Sequence, residues 1–231
     1  MYTTAPICNA PLDLFFVLDG SGSVTYANFD KVKEFTENVV NAFDISASST
    51  RVGVVQYSTS NTLEFNLGDH SDKPSTLAAI DSISYQGGGT RTGSALEFAR
   101  LNAAWRGGSV PKVMIVVTDG KSGDSVASSA NDLASQGVDV YAIGVGNYDA
   151  TQLLEIAAGN QNNVIELTDF NALSAEINQI AQTVCAAAQT NPCQSNPCQN
   201  GGQCVSINNG QAYQCSCPTG FVGANCQTGF S

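Results

Sequence analysis

Short apolar runs recur along this chain, spaced so that a helix fits between successive runs. Leu12–Leu18 (LDLFFVL), Arg51–Tyr57 (RVGVVQY), Lys112–Thr118 (KVMIVVT) and Val138–Val145 (VDVYAIGV) have the length and β-branched content of strands, and Asn163–Leu167 (NVIEL) is a shorter one. Leu12–Leu18 is read as a continuous apolar run, as in a strand buried on both faces. Thr62–Leu67 alternates and reads as a hairpin partner of Arg51–Tyr57. Between the strands, Tyr26–Phe43 sets Phe29, Val32, Phe35, Val39, Val40 and Phe43 at helical spacing. Helical patterns also cover Pro74–Ile83, Thr92–Leu101 and Phe170–Cys185. Asp124 is expected to cap a helix reaching about Gln136, and Asp149 with Gln152 reads as a capping box. The expected fold is α/β: a doubly wound, mainly parallel six-stranded sheet with helices on both faces and one antiparallel edge strand. Such sheets bind ligands beyond the carboxyl ends of their strands, near a topological switch point. Asp19 and Asp119 each stand just past the end of an expected strand.

The chain has 231 residues, enough for one sizeable domain and a small one. Its net charge of −11 offers no basic stripe for nucleic acid and no attraction to anionic membranes. No apolar run approaches the roughly 20 residues of a membrane-spanning helix. The opening YTTAPICNA lacks the apolar core of a signal peptide, so the chain reads as a mature fragment with an added Met. There is no N-x-S/T sequon.

Of eight cysteines, six lie between Cys193 and Cys226, with gaps of 4, 5, 10, 1 and 8 residues. That density reads as a disulfide scaffold from an oxidising compartment. Zinc is the rival, but the tail has no His and no paired C-x2-C knuckles. The texture changes after Cys185: AAAQTNP is a short linker, followed by a segment rich in Gly, Asn, Gln and Pro.

The loop DGSGS, Asp19 to Ser23, admits several chemistries. It can be a plain strand-to-helix turn. A dinucleotide loop needs a third glycine where Thr25 stands, and a Walker loop needs GK[ST]. A dehalogenase-type phosphatase would carry a second acid where Ser21 stands. Serine hydrolysis lacks G-x-S-x-G, and the single histidine, His70, reads as a surface loop residue. Hydrolysis at a metal-bound water lacks a general base beyond Asp19 and Asp119. A metal site gains support from two distant segments: GGGTRTGSAL, with Thr90 in a glycine-rich loop, and IVVTDGKSGD, with Asp119 at a strand end.

Over residues 8–185 this pattern resembles a von Willebrand factor type A domain, the integrin I-like fold. Its metal-ion-dependent adhesion site joins D-x-S-x-S to a Thr and an Asp on two further loops, and Asp19, Ser21, Ser23, Thr90 and Asp119 match all five positions. The resemblance implies a bound Mg²⁺, or Mn²⁺ or Ca²⁺ in its place, held by the Ser21, Ser23 and Thr90 hydroxyls. Asp19 and Asp119 act largely through waters, and one position is left for a partner's carboxylate. It also implies a Cys8–Cys185 bond, as in matrilin-like domains; pairing of either with the tail would leave a tail cysteine without a partner.

Residues 193–226 resemble an epidermal growth factor-like domain, expected as a small disulfide-rich β-hairpin module. The family pairing implies Cys193–Cys204, Cys198–Cys215 and Cys217–Cys226. CQSNPC matches the family's O-glucosylation pattern at Ser195, given an animal secretory pathway, while Gln203 replaces the hydroxyl needed for O-fucosylation. Gln189 and Pro192 replace acids of the calcium-binding variant, although Asn191 and Asn208 remain. With residues 1–7 as an N-terminal tail, 186–192 as linker and 227–231 as C-terminal tail, the arrangement is matrilin-like. It implies a secreted, non-enzymatic adhesion or extracellular-matrix protein that binds an acidic residue of a partner, such as collagen or another matrix protein. The alternative is a structural matrix protein whose metal site only stabilises it. The fragment is expected to be monomeric.

Overall fold

Strand β1 (Leu12–Asp19) is the centre from which the larger domain is built. The computed structural model describes residues 8–189, 192–193, 196–207 and 212–230. β1 pairs in parallel with β2 (Thr50–Tyr57) on one side and β4 (Lys112–Thr118) on the other. β5 (Val138–Val145) and β6 (Val164–Leu167) continue the sheet in parallel, and β3 (Asn61–Phe65) pairs antiparallel with β2 at the edge. The order β3-β2-β1-β4-β5-β6 reverses its direction of growth between β1 and β4, which is the switch point.

The period of two along each strand feeds two cores. Leu12, Leu14, Phe16 and Leu18 pack with α1 (Tyr26–Asn41), α2 (Lys73–Asp81) and α6 (Leu173–Gln189). Phe15 and Val17 point the other way, among α3 (Thr92–Asn102), α4 (Ala127–Ser135) and α5 (Ala150–Ile156). In α1, Phe29, Val32, Phe35, Thr36, Val39 and Val40 are buried, the one-sided stripe expected of a helix laid on a sheet.

Several local expectations need correction. Asp124 does not cap α4, which begins at Ala127 with no side-chain cap; its carboxylate is taken by the start of α3. Asp149 does cap α5 through the Gln152 N–H, but the Gln152 side chain accepts from Ser122 N instead of reaching back. Helix α6 begins at Leu173 and runs past Cys185 to Gln189, so the stretch read as linker starts as helix. His70 does lie in a loop, half-buried, with its ring edge-on to Phe65.

Cys8 and Cys185 are bonded, with Cα atoms 5.8 Å apart across 177 residues of sequence. Closing so long a loop stabilises the fold by about 5 kcal/mol in the chain-entropy model. In the small module, β7 (Gln203–Ile207) and β8 (Ala212–Ser216) form an antiparallel hairpin. β9 (Phe221–Val222) pairs with β10 (Thr228–Gly229), inside the expected tail. Disulfides join Cys193 to Cys204, Cys198 to Cys215 and Cys217 to Cys226. A module this small has little core, so these bonds carry much of its stability. Ser195, Asn191, Asn208 and the Gln189 side chain lie outside the described residues. Among the described residues, no helix is long and apolar enough to cross a membrane.

The run read as continuously apolar hides a charge. Asp13 is fully buried, and its carboxylate accepts from Arg106 Nε at 2.7 Å and Arg106 N at 2.6 Å. The same guanidinium donates to the Leu12 and Ser49 carbonyls at 2.7 and 2.8 Å. This one side chain ties the segment after α3 to the amino ends of β1 and β2. Arg106→Ala leaves the Asp13 charge buried without its partner, and is expected to cost about 3–5 kcal/mol in chemical denaturation. A loss below about 1 kcal/mol would show that the pair is not a main tie at this end of the sheet.

Candidate metal centre

The carboxyl ends of β1 and β4 lie side by side because Leu18 pairs with Val117. The residues just beyond them are therefore forced together. Asp19 Oδ1 accepts from Ser21 N at 2.8 Å, folding the DGSGS loop back on its own acid. Asp19 Oδ2 accepts from the Thr118 hydroxyl at 2.7 Å. The Ser23 hydroxyl donates to Asp119 Oδ1 at 2.7 Å and lies 3.1 Å from the Ser21 hydroxyl. Asp19, Ser21, Ser23 and Asp119 thus form one contiguous set of oxygens. Gly20 leaves room for the Gln56 amide: a Cβ there would displace that side chain from its bonds to Ser84 O and Gln86 N.

Thr90 comes from the second loop, and backbone bonds locate it. Gly22 N donates to Gly88 O at 2.8 Å, and Gly123 N donates to Thr90 O at 2.8 Å. Buried Gln56 holds the approach to this loop, donating to Ser84 O at 2.8 Å and accepting from Gln86 N at 3.0 Å. Behind Thr90, the start of α3 is pinned to the third loop. Ser122 Oγ accepts from Thr92 N, and the Asp124 carboxylate accepts from Gly93 N and Ser94 N, both at 2.9 Å. Gly93 is the second glycine with a steric reason: a Cβ would overlap the Ser125 carbonyl. The Thr90 hydroxyl itself has no hydrogen-bond partner among the described residues.

The site grades from buried to open. Asp19 and Ser21 are 1% exposed and Asp119 9%, whereas Thr90 is half-buried and Ser23 exposed. Burial pushes the Asp19 carboxyl above its usual range despite the Ser21 and Thr118 bonds. Burial also raises Asp119, and the nearby Asp19 charge adds to it. Neither acid draws support from a Lys or Arg. Two partly desolvated acids linked with the Ser21, Ser23 and Thr118 hydroxyls form a hard-oxygen set, which suits Mg²⁺, Mn²⁺ or Ca²⁺. Among the described residues no three His, Cys, Asp or Glu side chains gather, so a site here depends on the hydroxyls.

Sequence reasoning missed the supports. Thr118, one residue before Asp119, holds Asp19; its place in VVTDG was the only available signal. Tyr85 donates its hydroxyl to Ser21 O at 2.9 Å, which no local pattern announces. Thr25 adopts φ 66°, ψ 158°, a conformation costly for a β-branched residue, at the exit of the DGSGS loop.

Sheet order, paired helices and these three converging loops define a type A fold. Residues 13–180 match the von Willebrand factor type A domain family and 193–225 the EGF-like domain family. The chain belongs to the von Willebrand factor type A domain family. It is 41% identical over 177 residues to the human collagen alpha-6(VI) chain, covering 75% of this chain and 8% of that one. Mouse matrilin-1 is 34% identical over 220 residues, covering 92% of this chain and 43% of matrilin-1. The chain thus spans less than half the length of these relatives. Among solved structures, proximal thread matrix protein 1 of the mussel byssus, described with a zinc-occupied MIDAS motif, superimposes with a TM-score of 0.73. It is 31% identical, and the match covers 78% of this chain and 47% of that one. The chain thus carries a von Willebrand factor type A domain followed by an EGF-like domain.

Gly93→Ala tests the fit between the second and third loops. Overpacking against Ser125 is expected to cost about 1–3 kcal/mol, read as a lower urea midpoint. An unchanged midpoint would show that α3 and the third loop are not held so closely.

Proposed function

We propose that this chain is a secreted adhesion module of the extracellular matrix. It binds an acidic side chain of a matrix protein, such as a collagen, through a divalent cation held by Asp19, Ser21, Ser23, Thr90 and Asp119. The observation that carries this reading is the hydrogen-bonded set Asp19–Ser21–Ser23–Asp119, drawn from two strand ends and graded from a buried acid to an exposed hydroxyl. When bound, the cation supplies a positive coordination point for an incoming carboxylate. Mg²⁺ fits the hard donors best, with Mn²⁺ and Ca²⁺ as substitutes.

The chain's own residues divide the work. Ser21, Ser23 and Thr90 offer neutral oxygens. Asp19, held by Ser21 N and Thr118, and Asp119, held by Ser23, supply negative charge and orient waters through charge-assisted hydrogen bonds. A donor set with few direct carboxylates leaves charge for a partner to neutralise. We further propose that the type A domain occupies residues 8–185 and the EGF-like module 193–226, joined by 186–192 and flanked by 1–7 and 227–231, and that the chain acts as a monomer. The EGF-like module and its disulfides fit an extracellular setting, with Ser195 as its O-glucosylation site.

Binding to immobilised matrix proteins, collagens included, should be retained in Mg²⁺. It should be lost both with chelator and in Asp119→Ala. Binding that ignores the chelator would favour the alternative, a structural matrix protein whose site only stabilises the fold.

A further inference from the structure

Arg91 stands alone among the basic side chains. The chain has nine Lys and Arg residues. The other eight each have a partner: Lys31, Lys33, Arg51, Lys73, Arg100, Arg106, Lys112 and Lys121 bond to a carboxylate, a carbonyl or an amide oxygen. Lys121, on the third loop, is already matched by Asp149 at 2.7 Å. Arg91 is exposed, and its side chain has no hydrogen bond or ion pair among the described residues.

Its side chain gains nothing for the helix. Arg91 is the N-cap of α3 and gives no side-chain cap bond, where Ser, Thr, Asp or Asn would. The capping is done instead by Asp124, from another loop, whose carboxylate offsets the positive end of the helix dipole. Arg91 also directly follows Thr90, so a divalent cation at the site would repel it. A side chain placed against its local preferences points to a demand from outside the fold.

On the basis of the cation reading above, we infer that Arg91 takes a second carboxylate of the same partner segment whose first carboxylate completes the cation's coordination. The partner segment is then an acidic peptide with two nearby Asp or Glu residues. The planar guanidinium can bind a carboxylate with two parallel hydrogen bonds. An incoming pair of acids would offset the Arg91 charge and the cation together. The chain's net charge of −11 repels such a segment at long range, so its attraction depends on the cation and Arg91.

Two synthetic glycine-rich peptides test this, one with a single Glu and one with two Glu residues in close succession. They are titrated into the full chain in Mg²⁺ and followed by amide chemical shifts. The two-acid peptide should bind about tenfold tighter than the one-acid peptide. In Arg91→Gln that ratio should fall toward one, with Arg91→Lys in between, and a thermal melt matching the wild type verifies the fold. A ratio unchanged in Arg91→Gln, with both peptides still released by chelator, overturns the role of Arg91 alone. Peptide binding that survives chelation overturns the cation reading itself. A heparin fragment is run in parallel: if Arg91→Gln weakens only its binding, the occupant is a sulfated glycan and the acidic-peptide assignment fails.

Discussion

The parallel pairing of β1 with β4 is the constraint on which the rest of the site depends. Register places Leu18 opposite Val117, and the chain must leave the sheet on both strands at the same level. Because sheet growth reverses at this junction, the two exits do not shield one another with crossover helices. Asp19 and Asp119, 100 residues apart in sequence, are thereby held close enough for Ser21 and Ser23 to bridge them. Burial from the two cores then makes each carboxylate costly to ionise. In the function proposed above, a bound divalent cation offsets that cost, since no Lys or Arg among the described residues bonds to either acid.

The supports around this junction are mutually consistent. The Thr118 hydroxyl fixes Asp19 from the neighbouring strand, and Tyr85 fixes the Ser21 carbonyl from the segment before the second loop. Asp124 and Ser122 fix the start of α3, and with it Thr90. At the opposite end of the sheet, Arg106 and the Cys8–Cys185 bond close the domain. The loops at the site can be short and glycine-rich because the scaffold beneath them is pinned at both ends.

Much of this was legible in the sequence because it is local. Strand runs such as KVMIVVT and helical stripes such as Phe29–Val32–Phe35–Val39 carry their period on their face, and D-x-S-x-S lies within five residues. What escaped was decided by partners far away. Asp124 precedes a helix and looks like its cap, yet α3, 31 residues earlier, competes for the same carboxylate and wins it. Asp13 sits in an apolar run whose pattern gives no hint of Arg106, 93 residues on. The extra turn of α6 beyond Cys185 follows from AAAQ, a helix-compatible stretch that the preceding cysteine disguised as a linker.

The most direct measurement is anomalous diffraction from crystals of this chain grown with Mn²⁺. The account predicts one strong peak within about 2.0–2.3 Å of the Ser21, Ser23 and Thr90 hydroxyl oxygens, with Asp19 and Asp119 close behind it. No peak at that point at saturating Mn²⁺, or a peak that involves Asp124 and leaves Ser21 and Ser23 bonded only to each other and to Asp119, would contradict it.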